Sequence, residues 1–325
     1  MNAALALQGV EKSFGDQKAV SALDLVIPKG ETCGLIGPSG AGKSTSIRII
    51  MSILFPDAGK VEVLGRSSAL DAKDRIGYLP EERGVYRKMR VGAFLKYLAG
   101  LKGVPDGEAG PRAKELLAKL GLDDVEKKKC EDLSKGMLQR VQFVGAIVHR
   151  PELLILDEPF SGLDPVSVRL LKGVISEERR RGTTILFSTH VMAQAEELCD
   201  RVVMIHKGRK VLDEPMSKLR RQYDTSLVLF EPLAPQAGDR VALGAVAGVA
   251  SVSGDEGEYQ LKLAPGTEPA AVIREAAGRI VPARVEISRI RLEDLFVGIV
   301  KDSAAGESEH ALRQHLQGLT GGNEA

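Results

Sequence analysis

Gly37-Pro38-Ser39-Gly40-Ala41-Gly42-Lys43-Ser44 decides the fold of this chain. An apolar run, Thr32-Cys33-Gly34-Leu35-Ile36, leads into it, and Ser44 to Leu54 leads out with apolar residues at helical spacing. A strand, a Gly-rich turn and a helix in that order let successive backbone N–H groups face one point, and the helix adds the positive end of its dipole. Such a point attracts phosphate. The complete G-x-x-x-x-G-K-[ST] spacing adds a lysine that reaches β- and γ-phosphates and a hydroxyl that ligates Mg²⁺. We expect Gly37, Pro38, Ser39, Gly40, Ala41, Gly42, Lys43, Ser44 and Thr45 to bind ATP, with Lys43 acting on the reacting phosphates and Ser44 on the metal.

Working outward, residues 1–220 alternate strand patterns with helix patterns. Leu5 to Val10 and Leu23 to Ile27 read as early strands. Leu153-Leu154-Ile155-Leu156 and Thr184-Ile185-Leu186-Phe187 are apolar without alternation, as central strands covered on both faces are. Arg112 to Leu120, Met137 to His149 and Val168 to Arg181 have helical spacing. The alternation predicts a layered α/β domain. From 221 to 300 the pattern changes: strands at Tyr223 to Phe230 and Arg284 to Ser288, a hairpin across Gly254-Asp255-Glu256-Gly257 joining Val249–Ser253 to Tyr259–Leu263, and helices at Ala270 to Ile280 and Leu292 to Val300. This predicts a second, small α+β domain. Residues 301–325 show little periodicity and read as a mobile tail.

The strand Leu153–Leu156 ends in Asp157-Glu158-Pro159. In open α/β sheets ligands sit at the carboxyl ends of the strands, so both acids reach the phosphate loop. Asp157 is expected to hold Mg²⁺, and Glu158 to take a proton from the attacking water.

Composition narrows the range of functions. Among 325 residues, 45 basic and 44 acidic side chains leave a net charge of +1, which argues against a nucleic-acid partner. The three cysteines are far apart and have no metal-ligand spacing. No signal peptide is expected at the N-terminus. The longest uncharged stretch, Val241 to Gly254, has 14 residues, below the ~18–20 that span a bilayer. Any membrane role calls for spans from another subunit.

With Leu133-Ser134-Lys135-Gly136-Met137 ahead of a helix and just before the acid strand, the chain resembles the nucleotide-binding subunits of ATP-binding-cassette (ABC) transporters. The resemblance covers residues 1–215 and implies a P-loop (RecA-like) α/β nucleotide-binding domain with a helical subdomain at about 85–150. It implies two copies paired head to tail, with Ser134, Lys135, Gly136 and Met137 of one completing the ATP site of the other. The family's Leu-Ser-Gly-Gly-Gln is altered here at Lys135 and Met137. Ser161-Gly162-Leu163-Asp164 resembles the D-loop, which makes Asp164 a contact to the second copy. His190 matches the histidine that hydrogen-bonds the γ-phosphate, and Phe14 the aromatic that stacks on adenine, although a core phenylalanine is a competing reading. Gly77-Tyr78-Leu79-Pro80-Glu81-Glu82 departs from the family, which has glutamine where Glu81 stands; a carboxylate there would bind Mg²⁺ more strongly and repel the γ-phosphate. This segment, Leu133–Met137 and the terminal Leu292-Glu293-Asp294-Leu295-Phe296 resemble a subgroup of sodium-export type.

The resemblance implies an ATPase on the cytoplasmic face of the inner membrane, driving a separate integral membrane permease that docks on residues of about 85–130. The alternatives are a non-transport ABC ATPase acting on the ribosome or DNA, which would usually carry two cassettes in one chain or a coiled-coil or zinc insertion, neither of which is found, and a P-loop kinase or GTPase, which would not need Leu133–Met137 or His190. Co-purification with a membrane protein separates them.

Overall fold

A computed structural model describes residues 3–82, 84–222, 227–254, 257–288 and 292. β1 (Ala3–Phe14) and β2 (Gln17–Pro28) form an antiparallel hairpin, β3 (Thr32–Ile36) leads through the Gly-rich loop into α1 (Lys43–Ile50), and β4 (Ala58–Val63) returns to pair with β1. β5 (Ile76–Leu79) precedes a helical stretch of α2 (Val91–Leu101), α3 (Asp106–Lys119) and α4 (Lys135–Ile147). β6 (Leu153–Asp157), α5 (Pro165–Arg180), β7 (Thr184–Thr189), α6 (Met192–Leu198), β8 (Arg201–His206) and β9 (Arg209–Pro215) follow.

Two sheets result. The antiparallel one has order β2-β1-β4, and the larger one runs β5-β6-β7-β3-β8-β9, parallel throughout except for β9. Every residue of β3, β6 and β7 is buried, which is why their sequences are apolar on both faces. Ile47 and Ile50 of α1 pack into the same core as Leu35, Ile155, Leu186 and Val203. Each such side chain contributes roughly 1.5–3 kcal/mol on burial, so α1 is fixed to the sheet that carries the acids. The helical stretch buries its own stripe, including Phe94, Leu117 and Phe143.

Contacts divide the chain between Met216 and Ser217. α7 (Met216–Gln222) lies at this division. The second unit runs β10 (Leu227–Pro232), α8 (Asp239–Gly244), β11 (Val249–Ser253), β12 (Tyr259–Leu263), α9 (Pro269–Arg279) and β13 (Pro282–Ser288). Its antiparallel sheet has order β11-β12-β10-β13, a β-α-β-β-α-β arrangement. Val228, Phe230, Leu261 and Leu243 form its core. The predicted hairpin pairs β11 with β12, Ser253 opposite Gln260. Residues 223–226 of the predicted strand, Asp255 and Glu256 of the hairpin, the terminal helix apart from Leu292, and the tail 301–325 lie outside the described residues.

Candidate nucleotide site

The loop between β3 and α1 must be made of glycine at two points. A Cβ on Gly37 (φ 152°) would stand 2.2 Å from the Ile205 carbonyl oxygen, and one on Gly42 (φ 110°) 2.4 Å from that of Ala19. Gly42 is also the N-cap of α1 and offers no side-chain cap, so the first N–H groups of the helix are left for a ligand.

Lys43 folds back under the loop, where its Nζ donates to the carbonyls of Gly37 (2.8 Å) and Pro38 (3.1 Å). It is 6% exposed and stands 3.8 Å from Glu158 Oε1. Burial pulls its pKa down, and the carboxylates of Glu158, Asp157 and Glu81 oppose that shift. Ser44 Oγ lies 3.2 Å from Asp157 Oδ1 and 3.5 Å from Glu81 Oε2.

Adjacent parallel strands set the acids. Asp157 at the end of β6 is in register with Ser188 of β7. Ser188 Oγ donates to Asp157 Oδ1 (2.6 Å) and accepts from the Glu158 N–H (3.0 Å). His190, one residue past β7, places Nδ1 3.0 Å from Glu158 Oε1. Glu158 itself has φ 50°. Phe14, Lys43, Ser44, Glu81, Glu158 and His190 all line one cleft of about 370 Å³, as do Ser39, Gly40, Gly42 and Thr45. Phe14 is 51% exposed at the end of β1 rather than in the core, with Lys12 Nζ 5.8 Å from its ring.

Ser134, Lys135, Gly136, Met137 and Asp164 do not line that cleft. Ser134 caps α4, its Oγ accepting from the Met137 N–H (3.2 Å). Asp164 caps α5 by accepting from the N–H groups of Val166 (3.0 Å) and Ser167 (2.9 Å). The Ser167 hydroxyl and N–H hold its carboxyl below the usual range. This capping role was readable in Asp164-Pro165-Val166-Ser167, with proline at the first helical position. Ser188, which ties the two acids together, had no motif to reveal it.

The donor set suits a hard cation. Asp157, buried beside the Ser44 hydroxyl, and Glu81 supply oxygens only. Among the described residues no cluster of three or more His, Cys, Asp or Glu forms a metal site. One or two carboxylates completed by water and phosphate is the manner in which Mg²⁺ is usually held.

A largely parallel covered sheet, whose turn after β3 wraps a buried lysine and whose next strand but one ends in Asp157, buried beside Ser44, and Glu158, on the wall of the same cleft, defines a P-loop nucleotide-binding α/β fold. The family model described as ABC transporter matches residues 20–161. The ABC transporter ATP-binding protein YhaQ of Bacillus subtilis is 46% identical over 219 residues, 67% of this chain and 74% of the relative. The Nod factor export ATP-binding protein I of Burkholderia lata is 36% identical over 209 residues, 63% of this chain and 69% of the relative. A solved ATP-binding subunit of an ABC transporter superposes with a TM-score of 0.63 at 32% identity, covering 68% of this chain and 93% of that one. The chain belongs to the ABC transporter ATP-binding proteins, a family of ATPases coupled to transport.

Proposed function

We propose that this chain is the ATP-hydrolysing subunit of an exporter, closing head to tail with a second copy around two ATP molecules and driving a separate membrane permease. One observation carries the reading: the Glu158 carboxylate stands between Lys43 at 3.8 Å and His190 at 3.0 Å on the wall of the phosphate-loop cleft. That is where a base for an attacking water belongs.

The N–H groups of the Gly37–Ser44 loop and Lys43 bind the phosphates. Phe14 stacks on the adenine. Ser44, Asp157 and Glu81 hold Mg²⁺, which when bound neutralises phosphate charge. Glu158 accepts the water's proton, and His190 orients Glu158 and hydrogen-bonds the γ-phosphate. Ser134, Lys135, Gly136 and Met137 of the second copy close the open side of the cleft, and Asp164 contacts that copy. Loss of the γ-phosphate removes the acceptor that donors from both copies share, so the pair opens.

Residues 1–220 form the nucleotide-binding domain and 221–300 a C-terminal α+β domain in this reading. Among the described residues no helix is long and apolar enough to cross a membrane. The permease carries the pathway, and this subunit works on the cytoplasmic face of the inner membrane. A second groove of about 320 Å³, walled by Tyr86, Phe94, Leu98 and Leu101, is the docking place we assign to it. Gln142 of α4 donates to the Gly84 carbonyl at 3.4 Å, tying the helix that carries Ser134 to the chain just past Glu81. The export direction is supported by the name of the Nod factor relative.

Glu158→Gln tests this. Turnover should fall by about 10²–10⁴-fold, ATP should still bind, and gel filtration with ATP should show a dimer. A variant that binds ATP and elutes only as monomer overturns the paired site.

A further inference from the structure

We infer that Glu81 makes this cleft take its divalent cation before its nucleotide. The inference rests on the reading of Ser44, Asp157 and Glu81 as the Mg²⁺ residues.

Two carboxylates meet at one hydroxyl: Ser44 Oγ is 3.2 Å from Asp157 Oδ1 and 3.5 Å from Glu81 Oε2. A serine hydroxyl has one proton, so it satisfies one carboxylate at a time. No lysine or arginine among the described residues forms an ion pair with Glu81. The nearby ammonium, Lys43, is already shared between two backbone carbonyls and Glu158 at 3.8 Å. Glu81 and Glu158 thus line a space that has to accept a polyanion, with the Asp157 carboxylate buried beside Ser44, against one ammonium.

The signs of the two effects agree. Without a cation, the Glu81 charge repels the incoming phosphates. With a cation, the same charge and that of Asp157 hold it together with the Ser44 oxygen, a donor set of the hard-oxygen type that Mg²⁺ and Mn²⁺ accept. Glu81 therefore strengthens the metal–protein contact and weakens the metal-free nucleotide complex. An amide at the same place would do neither. Linkage makes this reciprocal: whatever factor the cation gains for the nucleotide, the nucleotide gains for the cation.

The test uses the full chain. Mn²⁺ is titrated into nucleotide-free protein, and the free-ion electron paramagnetic resonance signal is followed. Wild type is expected to bind one Mn²⁺, and Glu81→Gln to bind it about ten-fold more weakly. In a second arm a fluorescent ATP analogue is titrated with Mg²⁺ or with EDTA. EDTA should weaken wild type by a factor about ten-fold larger than it weakens Glu81→Gln. Glu82→Gln is the control: that side chain is 87% exposed and paired with Arg48 at 3.5 Å, so both readings should match wild type. Glu81→Gln with wild-type Mn²⁺ affinity and an unchanged EDTA effect overturns the inference. Lys43→Ala separates the two levels. If it loses the nucleotide while Glu81→Gln behaves as wild type, only the metal-first order fails. If it binds Mg²⁺ and analogue like wild type, the site reading fails with it.

Discussion

The phosphate loop and the Ser134–Met137 segment are held in opposite ways. The loop is fastened from several sides: Gly37 under the Ile205 carbonyl, Gly42 under that of Ala19, Lys43 by two carbonyls, and Ala41 O by the Gly208 N–H at 2.9 Å. Ser134 and Met137 are joined by a single cap bond at 3.2 Å, and Lys135 is exposed with no ion pair among the described residues. Donors fixed in advance stabilise charge without reorganisation. The loop has that property by itself. At the start of α4, Ser134 and Lys135 are exposed and Gly136 and Met137 half-buried, and in the proposed pairing they meet the second copy.

The largest effect should come from the loop. Lys43→Ala is expected to lower ATP turnover by about 10²–10³-fold, measured as phosphate release from purified protein; turnover near wild type would remove the loop from the chemistry. Gly37→Ala comes next. Its Cβ would meet a backbone oxygen at 2.2 Å, so a loss of about 1–3 kcal/mol is expected from the urea midpoint.

The far end of α4 is a third point of comparison. His149, two residues past that helix, has its Nδ1 buried without a partner and its Nε2 3.1 Å from the Ile76 carbonyl. Burial, then the charge of Lys102, pushes its pKa down from 6.5 to about 4. Between those values the unfolded chain binds the proton and the folded chain does not. Stability contributed by the neutral ring is therefore present above pH 6.5 and lost as pH falls towards 4. Relative to wild type, His149→Gln should remove about 2 kcal/mol of that acid sensitivity, discounted for partial exposure. Parallel pH–stability curves would show that the ring does not titrate this way.

Gly136→Ala should have the smallest effect on the isolated chain. The nearest atom to its Cβ, Leu163 Cδ2, is at an ordinary 3.5 Å, and alanine in a helix gains about 0.5–1 kcal/mol over glycine. The expected result is equal or higher thermal stability together with weaker ATP-dependent pairing by light scattering. Unchanged pairing would break the contrast between a fastened half and an offered half.

The parts of this molecule that sequence made legible are those in which neighbours along the chain carry the signal. Leu153–Leu156 and Thr184–Phe187 read as covered strands because burial on both faces leaves no alternation. The Gly-rich loop read as a phosphate cradle because strand, turn and helix are contiguous. Pairing across long distances left no such mark. β3 lies between β7 and β8, with Thr32 opposite Ile185, and nothing local to Thr32 specifies that partner. Val202 to Ile205 of β8 are apolar and buried, but no chemical motif follows them to mark a strand at the site. In the sequence, Gly77 is only one residue of a motif. The fold shows why it is glycine: a Cβ there would lie 2.1 Å from the Ala146 carbonyl. In the site, the sequence points to Asp157 and Glu158 by their place after an apolar run and to His190 by the family resemblance, whereas Ser188 is one more serine until the register puts it opposite Asp157.

Glu158 has φ 50° and is followed by Pro159. A side chain in the left-handed region costs on the order of 1 kcal/mol, and a following proline narrows the choices further. Glycine would relieve the backbone there, yet glycine has no carboxylate. Selection for stability alone would drift towards Glu158→Gly, and a thermostabilised form of this protein obtained without an activity screen should be sequenced first at that codon.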